Sequence, residues 1–200
     1  ITLPIGPLRL IDMSGGSIKR AREIVDDYLE KATLLANLKG RSFYAVGGTW
    51  RNLARLHMAQ NKYPLHVLHH YAMTRQQASA VADLVSGLSS SSLRDVREVS
   101  KSRSDTLPYG ALVLDRLLAR GKARDVVSSV YGVREGLLYS KLPRRKMQAD
   151  ALLSSCWDFA RRYARSPEHE LELCDWTDQI FGGAGFKETE VETRLRYAAC

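Results

Sequence analysis

The stretch from Phe43 to Leu56, FYAVGGTWRNLARL, constrains this chain more than any other. Four apolar or aromatic residues, Phe43 to Val46, run into Gly47-Gly48-Thr49, and helical spacing begins at once. The pattern predicts a buried strand, a tight turn free of side chains, and a helix N-terminus. Glycines at such a junction let the backbone approach a ligand and reach positive φ at little cost. The first N–H groups of the helix lack intrahelical acceptors and can meet an anion. Thr49 adds a hydroxyl at the cap or first turn, where it can bond backbone or a phosphate oxygen. The same residues also make a plain strand-to-helix turn. The rest of the chain has to decide between the two.

Either side of this stretch, strands and helices alternate. ITLPIGPLRLI (1–11) reads as an edge or bent strand interrupted by Pro4 and Pro7. Ser14-Gly15-Gly16-Ser17 reads as a turn with Ser17 as helix cap, followed by a stripe from Ile18 through Val25, Leu29 and Leu35 that Gly40 closes. The helix after the glycine turn carries Trp50, Leu53, Ala54 and His57 on one side and ends near Asn61. Residues 71–99 read as short helices, with Thr74 and Gln77 forming a capping box. Thr106 and Pro108 open a helix that stops at Gly121. DVVSSVYG (125–132) is a second short buried strand ended by glycine, and VREGLLYSKL a short helix. Past Pro143 the strands stop. Asp150 caps one helix, Ser166-Pro167 begins another that GGAG (182–185) breaks, and a third occupies 188–200. The fold class is therefore α/β followed by an all-α piece, with a joint at 144–148.

Composition narrows the partners. The chain is 44% hydrophobic and 26% charged with no low-complexity tract, which excludes disordered and fibrous classes. No apolar run approaches the ~18 residues that a membrane-spanning helix needs. The net charge of +8 calls for a polyanionic ligand, since long-range attraction gathers one. Basic residues lie along helices and are not interleaved with aromatics, so a base-stacking nucleic-acid surface is not expected. Three cysteines (Cys156, Cys174, Cys200), odd in number and outside metal-ligand spacing, read as reduced helix residues and suit a cytoplasmic setting. His66, His69 and His70 cluster, yet no Cys, Asp or Glu lies between Asn61 and Ala82 to complete a zinc site. The opening at Ile1, in a segment that already reads as a strand, is what a piece of a longer protein would show.

Five segments, taken together, resemble one family. They are TLPIGPLRL (2–10), YAVGGTWRNLARL (44–56), RSDTLPYGALVL (103–114), VSSVYGVREGLLY (127–139) and FARRYARSPEHELELCDWTDQIF (159–181). Their order and character are similar to the Ppx/GppA family of exopolyphosphatases and guanosine pentaphosphate phosphohydrolases, in the ribonuclease-H-like (actin-like ATPase) fold. The resemblance implies that 1–145 is the second half of that domain and that 146–200 begins a helical, HD-like C-terminal domain. It places Gly47, Gly48 and Thr49 on a loop facing nucleotide or phosphate. Arg134-Glu135-Gly136 falls on the family's REG segment near a hinge, where a buried ion pair is the plain alternative. Arg51, one turn into the loop helix, is either substrate-facing or a surface residue.

The resemblance also implies parts that these residues lack. A DxGGGS phosphate loop precedes the family's LPIG segment, and the water-activating glutamate lies further upstream; Ser14-Gly15-Gly16-Ser17 does not supply that loop. No catalytic residue is therefore expected among these 200. An HD metal site needs a His-Asp dipeptide, which does not occur here, so His169 reads as a helix-surface histidine. The implied activity is release of orthophosphate from polyphosphate, with magnesium as cofactor; guanosine pentaphosphate is the alternative substrate. A homodimer fits the family and no membrane partner is implied. The rival of another class is a non-catalytic basic module that binds RNA or a partner protein.

Overall fold

A computed structural model describes residues 2–183, 185 and 187–200. They form two compact units, residues 1–137 and 138–200.

The first unit begins with a helix. α1 (Pro7–Ser14) stands where a strand was expected, because Pro7 takes the first helical position with extended Gly6 as its cap. Proline fits there, since that N–H would be unpaired anyway and its φ is already helical. Gly15 and Gly16 turn the chain at positive φ, and the Ser17 hydroxyl accepts from Arg20 N to open α2 (Ile18–Glu30). The stripe predicted to reach Leu35 is α-helical only to Glu30, and Thr33–Leu38 tightens to a 3₁₀ segment.

β1 (Ser42–Val46) and α3 (Gly48–Gln60) fall where the sequence puts them. β1 is not a buried strand, however. In the three-stranded sheet the order is β1–β3–β2, so β1 takes an edge: Ala45 is buried, while Tyr44 and Val46 are 58% and 47% exposed. Successive strand residues face opposite sides, and within this unit the second side of β1 is uncovered.

β2 (Ala72–Thr74), not anticipated, precedes α4 (Arg75–Ser86), whose Thr74–Gln77 capping box forms as expected. α5 (Ser90–Arg94) follows, then α6 (Leu107–Gly121) and β3 (Asp125–Ser129). β3 pairs parallel with β1, Tyr44 opposite Val127, and antiparallel with β2.

α6 is the keel. Leu107, Ala111, Leu114 and Leu118 join one core with α3, α4 and the sheet; Tyr109, Leu112 and Val113 join a second with α1 and α2. Each fully buried leucine contributes about 1.5–3 kcal/mol. Trp50 packs against both cores and donates from Nε1 to Gly110 O at 3.1 Å. α7 (Val133–Ser140) follows β3 and runs across the boundary between the units.

The second unit contains α8 (Arg144–Gln148), α9 (Ala151–Tyr163), α10 (Pro167–Gly183) and α11 (Glu190–Ala199). Asp150 caps α9 as predicted, accepting from Leu152 N and Leu153 N. The break expected at 182–185 falls partly on residue 184, outside the described residues. The apolar stripe of α9 does not close into a core here: Phe159 is 65% and Tyr163 72% exposed. Arg196 joins α10 to α11, donating to Asp178 and Glu188, each at 2.8 Å.

Candidate functional site: a glycine turn beneath an arginine

The parallel pair β1–β3 presents its two C-terminal ends together, and ligands of open α/β sheets bind outside such ends. Gly47 leaves β1 at φ +123° and is the left-handed residue of the turn. Gly48 is already helical, so backbone strain on substitution falls at Gly47 rather than at Gly48. α3 opens with no side-chain cap, its first intrahelical acceptor bond being Arg51 N to Gly47 O at 3.1 Å. The N–H groups of Gly48, Thr49 and Trp50 have no acceptor among the described residues. A helix end of this kind holds roughly half a positive charge and three free donors.

Arg103, which the sequence alone did not single out, covers that end. A Cβ placed on Gly48 would lie 2.5 Å from Arg103 Cζ and 2.6 Å from Nη2. The neighbouring segment is pinned. Ser104 is fully buried and donates to Lys101 O at 2.9 Å, and Asp105 is taken by Arg94 at 3.0 Å. The adjacent Asp105 is thus already paired, and the Arg103 guanidinium has no ion pair or hydrogen bond among the described residues. A cation resting on the positive end of a helix is electrostatically adverse by itself. An anion set between them relieves both. Periodicity could not reveal this contact, because the two residues are remote in sequence and Arg103 sits in a polar, irregular stretch. Its only signal was position, just before Thr106 and the start of α6.

Thr49 is half-buried, its methyl directed at Gly110 of α6 so closely that a Cβ on Gly110 would overlap Thr49 Cγ2. Its hydroxyl makes no hydrogen bond among the described residues. Arg51 is half-buried and close enough to Glu135 to favour that carboxylate's charged form. The Gly132 turn lies alongside, since a Cβ there would sit 3.5 Å from both Val46 Cγ1 and Glu135 Oε2.

Arg134 is exposed and does not form the buried ion pair considered as its plain alternative. Glu135 instead accepts from Gly132 N at 2.7 Å, and this backbone bond chiefly holds its carboxyl below the usual carboxylate range, with Arg134 and Arg51 adding to it. Gly47, Gly48, Thr49, Arg51 and Arg103 therefore gather around one helix end, with Glu135 beside them; Arg134 lies on the following turn.

The histidines lie in two separate places. His69 packs its ring 4.5 Å from those of both His70 and Tyr131, and burial lowers its pKa. Among the described residues no three His, Cys, Asp or Glu side chains converge on a cation position. His169 pairs on the α10 surface with Glu172 at 3.2 Å, as a surface histidine would.

A helix-flanked parallel pair with a glycine-rich, cation-covered turn at its carboxyl end describes part of an α/β domain with room for a ligand at that end. The sequence profile of the Ppx/GppA phosphatase family matches residues 12–145, and that of the exopolyphosphatase C-terminal region matches 152–200. The chain belongs to the Ppx/GppA phosphatase family, and its first unit is part of an actin-like ATPase fold.

Among solved structures it is similar to the Aquifex aeolicus Ppx/GppA phosphatase (24% identity over 72% of this chain and 49% of that one, TM-score 0.57). An exopolyphosphatase-like protein matches at 23% identity (72% of this chain, 49% of that one, TM-score 0.60). An exopolyphosphatase from Cytophaga hutchinsonii matches at 15% (69% and 47%, TM-score 0.58). These likenesses show the fold. The chain spans about half the length of these solved relatives. A comparison with curated proteins returned no match. No helix among the described residues is long and apolar enough to cross a membrane.

Proposed function

We propose that the protein containing this chain hydrolyses the terminal phosphoanhydride bond of inorganic polyphosphate, and that residues 47–51 with Arg103 hold the phosphate chain. The observation that carries this reading is the unpaired Arg103 guanidinium over the free N–H groups of α3. Together they offer convergent donors and positive charge to non-bridging phosphate oxygens, and guanidinium meets phosphate in a fixed, two-pronged geometry. The excess of basic residues supports a polyanionic substrate.

The part of these residues is binding and orientation. The turn fixes a phosphoryl group by backbone donors, Arg103 spreads the charge, and Arg51 and Thr49 stand at the rim. The family resemblance adds a glutamate that activates water, outside this chain, and magnesium to neutralise phosphate oxygens as the bond breaks.

The test is phosphate release by the full-length protein from polyphosphate, from guanosine pentaphosphate and from a simple phosphomonoester. Turnover of polyphosphate with the highest kcat/KM supports the proposal. Preference for guanosine pentaphosphate replaces the substrate but keeps the site. Absence of release from either anhydride, together with retention of RNA, hands the chain to the binding-module reading.

A further inference from the structure

All three cysteines of the sequence, spaced without a motif, line one cavity of about 820 Å³ in the second unit. Two of them meet. Cys174 on α10 and Cys200, at the end of α11, are brought to the same place by Tyr197 and Thr177. Their surroundings interlock: Cys174 Sγ donates to Tyr197 O at 3.9 Å, and Thr177 Oγ1 lies 3.9 Å from Cys200 Sγ while donating to Cys174 O at 2.9 Å. Both thiols are therefore held at the same turn of α10, each half-buried and open to the cavity. Cys156, on α9, lines the cavity without a recorded contact to either.

We propose that Cys174 and Cys200 form a dithiol modification site, which a hydroperoxide converts to an intramolecular disulfide joining α10 to α11. In the first step the Cys200 thiolate attacks the peroxide; a sulfur–oxygen bond forms, the oxygen–oxygen bond breaks, and hydroxide leaves. In the second, Cys174 attacks the sulfenic sulfur; the disulfide bond forms, and the hydroxyl departs with the Cys174 proton as water. In all, two thiols lose two protons and two electrons, and hydrogen peroxide is reduced to two molecules of water. The roles follow from contacts. Cys174 Sγ donates its hydrogen to Tyr197 O, which holds it as the thiol, and burial raises its pKa as well. Cys174 thus resolves rather than initiates. Cys156 takes no part.

The experiment is oxidation of the full-length protein with an equivalent of hydrogen peroxide, followed by peptide mapping under non-reducing conditions. The expected product is a single cross-linked species containing Cys174 and Cys200, two hydrogens lighter than its parts, cleaved by dithiothreitol. Its melting temperature should rise on oxidation and return on reduction. Cys156→Ser should leave the cross-link unchanged, whereas Cys174→Ser should abolish it and, given a second equivalent of peroxide, let Cys200 advance to the sulfinic acid. Should a folded Cys174→Ser variant fail to over-oxidise at Cys200, the assignment of roles falls. Should the wild type give no Cys174–Cys200 cross-link, or link Cys156 instead, the site itself is refuted.

Discussion

At the scale of single residues, the turn separates two effects that a glycine substitution usually mixes. Gly47 sits at φ +123°, so Gly47→Ala forces a strained backbone costing about 1–3 kcal/mol. Melting temperature and activity should fall together. Gly48 is helical, and a side chain there meets only the mobile end of Arg103. Gly48→Val should therefore change melting little while displacing the guanidinium and raising KM for polyphosphate. Arg103→Ala removes charge-assisted hydrogen bonds worth about 1.5–3 kcal/mol, so KM should rise about 10- to 100-fold at unchanged stability. Thr49→Val keeps the methyl against Gly110 and loses only the hydroxyl; it should fold normally and bind phosphate chains more weakly. Wild-type kinetics in all three of Gly48→Val, Arg103→Ala and Thr49→Val would make the turn structural only. Glu135 has its own signature in pH. Its carboxyl is held below the ordinary value of 4.5 in the folded chain, so its contribution is complete above that value. It is lost as pH falls through the depressed folded value, where the protonated form no longer accepts well from Gly132 N. Denaturation followed from pH 6 to about pH 2 should show a steeper acid limb for wild type than for Glu135→Gln, with no difference in slope near neutrality.

At the scale of elements, the start of α3 packs tightly against the first turn of α6. Gly110 lies under Thr49, and its carbonyl receives the Trp50 indole, so α6 sets the height at which the phosphate turn stands. Gly110→Ala would push Thr49 outward and loosen that hydrogen bond. Overpacking of this kind costs about 1–3 kcal/mol, and the expected result is a lower melting temperature with reduced kcat/KM, both recovered in part by Gly110→Ala combined with Thr49→Ser. A Gly110→Ala variant that melts and turns over like wild type would mean α6 does not position the turn. What the sequence revealed of these elements follows from range. Local signals worked: the Thr74–Gln77 box, the Ser17 and Asp150 caps, and the β1–turn–α3 succession are each written within a few neighbouring residues. Pro7 misled because proline interrupts a strand and begins a helix with the same letter, and the deciding fact is Gly6 in extended geometry. β2 escaped notice because three residues carry no usable period, and its pairing with β3 is set by the fold. Arg103 escaped because its partner is distant in sequence.

At the scale of the whole molecule, the chain offers one side of a site and a second unit with its own cavity. Residues 1–200 by themselves should release no phosphate from polyphosphate, because the family's remaining phosphate loops and its water-activating glutamate are implied outside them; steady turnover by this segment would overturn that division of labour. The expected joint at 144–148 lies a few residues past the division of the two units at 137/138, on α8, and makes a sharper prediction. Trypsin should cut first at Arg144, Arg145 or Lys146. All three are exposed on α8, a five-residue helix with no buried side chain, and Pro143 before it donates no backbone hydrogen bond. Opening such a helix to fit a protease costs little, since short helices with no buried face are marginal in water. The rival target is 85–100, which contains Arg94 and Arg97 and a run of serines. That stretch is tied down instead: Leu93 is fully buried and Val99 is 4% exposed, both within the core of α3, α4 and α6, and Arg94 is paired with Asp105. Cleavage there requires opening the core, whereas cleavage at α8 does not. Limited digestion followed by mass measurement should therefore give two fragments meeting at 144–147, each resistant for longer than the intact chain. A first cut between 85 and 100 would place the weak point inside the first unit and move the domain boundary with it.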